Sequence, residues 1–257
     1  MAVIARPDAA RTRHSAGAFF SVGYAAACYL AFVGVIVWTM AFLADIRVSR
    51  TVDHGGPHTS TWTAVVVDAA LLAVFAVQHS VMARPAFKRR WLSVVPGHVE
   101  RSTYVLAASA TLAVALSLWH PVATVVWHVS APGAQVVVWS LYAAGWAWVL
   151  AMSFAIDHLD LFGLRQVTAH LRGLAETAPS FALPLPYRVV RHPMMLGFLV
   201  AFVATPTMTV GHLLFAALGG AYILLGVRLE ERGLAEELPE YADYAATTPR
   251  LFPRLRR

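Results

Sequence analysis

Charge is what this sequence has least of. Of its 257 residues 13% are Asp, Glu, Lys or Arg, against 58% that are hydrophobic, and the mean hydropathy is +0.61. A soluble domain carries about twice that charge fraction, because a folded chain must coat itself with polar side chains. A soluble, disordered or disulfide-stapled protein is therefore excluded. The single cysteine, Cys28, lies in an apolar run, so there is no intrachain disulfide and no metal-cysteine motif. No HxxxH or HxxH pair falls on a predicted helix despite 11 histidines, and there is no GxSxG; neither a local metal chelate nor a serine nucleophile is expected. The formal charge of +6 and pI near 9.9 come from cations scattered between apolar runs, a pattern that speaks against a nucleic-acid partner.

Long apolar runs, by contrast, are abundant. A helix needs about 20 apolar residues to cross a bilayer at 1.5 Å rise per residue. Such stretches are read near Ala18 to Ala44, Trp62 to Met82, Ser102 to Trp119 and Ala134 to Ile156, followed by a shorter pair, His192 to Thr205 and Met208 to Val227. The class expected is an all-α integral membrane protein of five or six transmembrane helices, ending in a helical hairpin that is either spanning or re-entrant. Thr205, Pro206 and Thr207 are expected to form the turn between its arms. The first run is too long for a cleaved signal and is expected to stay in the mature protein. No linker divides the chain, so residues 1–257 are read as one multi-pass domain, with an N-terminal four-helix region over 18–156 and a C-terminal region over 187–253.

Positive charge orients the array, since Lys and Arg are retained on the cytoplasmic side during insertion. Alternate loops hold 18 of the 20 Lys and Arg, leaving only Arg47 and Arg50 on the other face. Both termini are expected in the cytoplasm. Arg outnumbers Lys 19 to 1, a bias that points to a GC-rich, bacterial genome.

Polar groups at membrane depth are costly, so their positions carry information. Asp68 and His79 lie eleven residues apart on one helix, near three turns, and so share a face. The fourth run ends in DHLDLFGLRQ, which brings Asp157, His158, Asp160, Arg165 and Gln166 to the cytoplasmic boundary. Arg191 and His192 open the hairpin there, and Arg228, Glu230, Glu231 and Arg232 close it. Four helices thus deliver ionisable groups to one leaflet, enough for a site that takes a charged cofactor from water and an apolar substrate from lipid. Each residue also has a plainer role: a satisfied helix-end histidine, a solvated ion pair, or a cation that sets topology.

The segment YRVVRHPMMLG from Tyr187, followed after an apolar stretch by RLEERGLAEELPEYADYAATTPRLFP from Arg228, resembles the signature of the integral-membrane methyltransferases related to isoprenylcysteine carboxyl methyltransferase and phospholipid N-methyltransferases. It covers about the last 70 residues. Within that superfamily the chain is similar to the branch that methylates methanethiol. This narrower likeness rests on QHSVMARPAFKRRW from Gln78, ERSTYVL from Glu100, DHLDLFGLRQ and ATPTMTVGH from Ala204. One departure stands out: many relatives have tyrosine where this chain has Met195.

What the resemblance implies is S-adenosylmethionine bound at the cytoplasmic end of the hairpin. Arg191 and His192, with the first turn over Pro193, Leu196 and Gly197, suit its carboxylate. Glu230 or Glu231 suits the ammonium or a ribose hydroxyl, while Tyr187, Tyr241 and Tyr244 can wall the adenine. A thiol acceptor must lose its proton, because the thiolate is the nucleophile. His79, or Asp157 with His158, is expected as base, with Arg165 stabilising the thiolate. The implied partners are a small thiol and the lipid bilayer. A lipid amine, a prenylated thiol or another small thiol remains an alternative acceptor, and an NADPH-dependent sterol or enone reductase a second reading.

Overall fold

The computed structural model describes residues 16–46, 49–174, 184–238 and 240–253. Both termini, and Arg47 of the sequence argument, lie outside the described residues. The order is α1 (Ala16–Leu43), α2 (Thr61–Ala83), α3 (Pro85–Trp91), α4 (Gly97–Ser117), β1 (Val125–His128), α5 (Pro132–Ile156), α6 (His158–Leu161) and α7 (Leu164–Leu171). A 3₁₀ turn at Leu185–Arg188 leads to α8 (Pro193–Val203), β2 (Thr207–Thr209), α9 (Val210–Glu237) and α10 (Glu240–Thr247).

Local chemistry sets the boundaries. Ser60 caps α2 by accepting the Thr63 N–H at 3.2 Å, and Thr209 caps α9 by accepting that of His212 at 3.1 Å. Proline opens α3, α5 and α8, where its missing N–H costs no helical bond. Pro85 also holds Arg84 extended and so ends α2. Gly163 turns the chain between α6 and α7 at φ 82°, against Ser102. A side chain there would be strained by the backbone angle and would meet the Ser102 backbone nitrogen at 2.7 Å.

Helices α1, α2, α5 and α9 are each long and apolar enough to cross a membrane. Their apolar residues face all directions, as suits helices that meet both lipid and one another. α4 packs between α1 and α2, and α8 lies along α5. Gly145 and Gly197 form that last seam: a Cβ on Gly197 would stand 2.9 Å from the Gly145 carbonyl oxygen.

The helical class holds, and one local expectation is corrected: where a bare turn through Thr207 and a helix from Met208 are read from the sequence, residues 207–209 pair with 125–128 as a small antiparallel sheet, Trp127 opposite Met208 and His128 opposite Thr207. Residues 207–209 are therefore strand, and the pairing satisfies backbone groups that a bare turn would leave open. Beneath the sheet sits the core, where Phe42, Trp119 and Phe215 meet edge to face or tilted. Asp68 belongs to this end of the bundle. Its Oδ1 accepts the His120 N–H at 2.9 Å, a stitch from α2 to the segment after α4. The fourth run ends at Ile156, as read from the sequence: Asp157 leaves the helix and caps α6 by accepting the Asp160 N–H at 3.1 Å.

Candidate functional site

At the end of the bundle opposite the sheet, the polar groups form three clusters. The first centres on Glu231, which α9 holds with its side chain only 9% exposed. His192, immediately before α8, lies with Nε2 3.0 Å from Glu231 Oε1. Arg191 Nε lies 3.3 Å from the same oxygen. Arg250 donates from Nε to Oε2 at 2.8 Å and from Nη2 at 2.6 Å. One carboxylate thus gathers an imidazole and two guanidiniums. The chain around Arg250 is itself pinned, since the Pro249 and Arg250 carbonyls accept the Arg191 and His192 N–H groups at 2.9 and 3.1 Å.

A cleft of about 440 Å³ opens beside this hub, lined by Arg191, Arg228, Arg232, Arg250, Glu231 and Tyr241 among others. Arg191 Nε and the Tyr241 hydroxyl are buried there without a well-formed hydrogen bond. Buried donors of this kind are rare without a purpose. On the rim, Glu230 is exposed, 3.7 Å from His192 Nδ1. Tyr244 donates to the Tyr187 carbonyl oxygen at 2.5 Å, tying α10 to the 3₁₀ turn. Burial, then the neighbouring Tyr241, pushes the Tyr244 hydroxyl up to about 12. Burial and Glu230 push Tyr187 up as well, so both phenols remain donors at neutral pH.

The second cluster lines an apolar cavity of about 400 Å³ between α1, α2, α4, α5, α8 and α9. His79 is the basic side chain in its wall. The ring stacks on Phe75 and meets Tyr222 edge on. The Tyr104 hydroxyl lies 2.9 Å from His79 Nε2 and 3.2 Å from Nδ1. One hydroxyl cannot engage both nitrogens fully, so one of them keeps capacity for a further partner. Met195 also lines it, one turn along α8 from His192. The cleft thus reaches Arg191 and the cavity Met195, four residues apart at the start of α8.

In the third cluster, His158 is held by Tyr29 at 2.8 Å and Ser153 at 2.8 Å, stacked on Phe154 and edge on to Phe162. Asp157 pairs with Arg165 at 2.5 Å. These three residues are brought together with one another but line neither the cleft nor the cavity. Of the cofactor candidates, Arg191, His192, Glu230, Glu231, Tyr187, Tyr241 and Tyr244 converge. Pro193 and Gly197 instead face α5, with the Pro193 carbonyl accepting the Trp148 indole N–H at 2.9 Å. Leu196 is half-buried in the same turn.

Sequence reasoning missed Tyr104, Tyr222 and Arg250 as site residues. Tyr104 and Arg250 did sit inside the distinctive segments ERSTYVL and TTPRLFP. Nothing local marked Tyr222, which lies in an apolar run.

Fold and site together define a multi-pass membrane protein with three polar clusters at the end of its helices opposite the sheet, one of them on the wall of an apolar cavity. No family model matches the chain, and no solved structure does. Among curated proteins it is 48% identical over 236 residues to methanethiol S-methyltransferase of Mycobacterium tuberculosis, an alignment spanning 91% of this chain and 96% of that one. It is 46% identical to methanethiol S-methyltransferase 1 of Bradyrhizobium diazoefficiens, over 91% of this chain and 82% of the relative. A more distant likeness, 30% over 202 residues, joins it to nurim of Rattus norvegicus across 71% of this chain and 76% of nurim. The chain belongs to the methanethiol S-methyltransferase family.

Proposed function

We propose that this protein methylates methanethiol to dimethyl sulfide with S-adenosylmethionine as donor, at a site facing the cytoplasm. The carrying observation is that a cationic cleft reaches Arg191 and an apolar cavity reaches Met195, only four residues further along the chain at the start of α8. Arg191, Arg250 and the Tyr241 hydroxyl, with the first-turn N–H groups of α8, suit the donor's carboxylate. Glu231 is committed to Arg191, His192 and Arg250 and so organises them, while exposed Glu230, on the rim beside His192, suits the ammonium or a ribose hydroxyl. Tyr187 and Tyr244 wall the adenosine. When bound, the donor supplies a methyl group made electrophilic by its sulfonium.

His79 takes the thiol proton within the apolar cavity, leaving a poorly solvated thiolate, and Tyr104 holds the ring in place. The walls exclude water and align the nucleophile, an effect worth about 7 kcal/mol or more for well-oriented groups. Asp157, His158 and Arg165 support α5 and α7 at the edge of this arrangement. The end that carries the cleft also carries the cations of α3, α7 and the region before α8, which supports cytoplasmic placement of both termini. α4 adds a fifth span, and α8, about 16 Å long at 1.5 Å per residue, dips part-way beside α9.

The test is headspace chromatography on membranes supplied with methanethiol and S-adenosylmethionine. Dimethyl sulfide is expected from the wild type and is lost in His79→Ala. No volatile sulfide from the wild type would refute the proposal.

A further inference from the structure

Methanethiol has two heavy atoms, and the cavity that faces His79 is far larger than it needs. A dry cavity of about 150 Å³ already holds benzene, whereas this one measures about 400 Å³. We infer that the cavity takes uncharged alkyl and arylalkyl thiols of about four to eight carbons as further substrates, a size that about 400 Å³ accommodates. The inference rests on the proposed function and names the acceptor class of that same site.

The wall chemistry supports it. Phe32, Leu72, Leu112, Phe198, Phe215 and Leu218 are among the apolar side chains that dominate the lining, which includes no Asp, Glu, Lys or Arg. Two of its hydroxyls are already satisfied within their own helices, Thr39 by the Val35 carbonyl and Ser109 by that of Val105, each at 2.8 Å. The polar atoms left, the Trp146 indole N–H and the Tyr222 hydroxyl, are neutral, so a zwitterionic thiol such as cysteine finds no counter-ion for either of its charges there. The space is also elongated. Ala69 and Leu72 line it on the same helix as His79, ten and seven residues earlier, or about 15 and 10 Å along the axis. An alkyl tail can run that length with its sulfur at His79.

The chemistry is unchanged by the tail. The S–H proton passes to the imidazole, the sulfur lone pair forms the new S–CH₃ bond, and the electron pair of the broken methyl–sulfonium bond stays on the donor sulfur. Products are the methyl thioether, S-adenosylhomocysteine and a proton.

The experiment assays the full-length protein in membranes with methanethiol, 1-butanethiol, 1-hexanethiol, phenylmethanethiol and cysteine, detecting each methyl thioether by mass spectrometry. The hexyl and phenylmethyl thiols should turn over with kcat/KM at least equal to that of methanethiol. KM, referred to free aqueous thiol, should fall about four-fold per methylene until the cavity is full. Cysteine should give no product. Ala69→Phe, which fills the far end, should lower the ratio of hexanethiol to methanethiol kcat/KM at least ten-fold. If that variant does not fold, Gly219→Val fills the cavity from α9 and is read the same way. Methanethiol turnover without longer-thiol turnover overturns the inference and leaves the proposed function standing. Failure with methanethiol itself overturns that function and the inference with it. An unchanged ratio in a folded filling variant overturns the placement of the tail.

Discussion

His192 Nε2 and Glu231 Oε1 meet at 3.0 Å across 39 residues of sequence, fastening the start of α8 to the inner part of α9. Because the Glu231 carboxylate also holds Arg191 and Arg250, its removal leaves three cationic or polar groups uncompensated. Glu231→Gln should cost about 3 kcal/mol or more of stability, as expected for one partner of a buried ion network. Affinity for S-adenosylhomocysteine should drop at least ten-fold. Calorimetry and thermal unfolding in detergent measure both, and wild-type affinity would refute the hub's role.

His79 and His158 are separated by their surroundings. His79→Ala should keep donor affinity within about two-fold and lose about 10² to 10⁴ in turnover, the range for a general base. Tyr104→Phe should lose less, about ten-fold, with KM for thiol less affected than kcat. His158→Ala removes two hydrogen bonds and its stacking, so it should chiefly lower the melting temperature. A larger turnover loss in His158→Ala than in His79→Ala would reverse the assignment of the base.

Gly197→Ala tests the seam between α5 and α8. The added methyl would meet the Gly145 carbonyl oxygen at 2.9 Å and Val149 Cγ2 at 2.9 Å, so α8 must shift. A cost of about 1 to 3 kcal/mol is expected from overpacking, together with weaker donor binding because α8 carries Met195 and follows His192. Unchanged melting would show that the seam relaxes freely.

Tyr244 ties α10 to the 3₁₀ turn through a 2.5 Å bond to Tyr187. Its hydroxyl is pushed from 10.0 to about 12 in the folded protein. The neutral form is therefore favoured by folding: stability from this group is fully present below the ordinary value and is lost as pH rises from 10 toward 12. Tyr244→Phe should lose about 1 kcal/mol at neutral pH, the net value of one hydrogen bond, and show a flatter alkaline limb in melting temperature. An alkaline limb identical to wild type would assign that titration elsewhere.

Much of this protein was legible in one dimension because membrane burial is written into composition. Long apolar runs leave little freedom for helices such as α1, α2, α5 and α9, and prolines and caps mark several boundaries. The motif from Arg191 to Gly197 and the pair Glu230 and Glu231 were visible as chemistry. Which of the pair lies buried was not, since adjacent helical residues differ by about 100° in direction and only the position of α8 and Arg250 selects Glu231. The sheet was hidden for a related reason: β1 and β2 are short, and each has a partner only through the other.

Hydropathy, charge asymmetry and local motifs thus determined from the sequence alone that the chain is a helical membrane protein with ionisable groups concentrated in a few segments. Only the tertiary structure decided that His79 faces an apolar cavity while His158 is enclosed by aromatic rings, and that Arg250 completes the cleft. The reason is that these placements depend on contacts between segments distant in the chain, where a shift of one residue around a helix changes which neighbour a side chain meets.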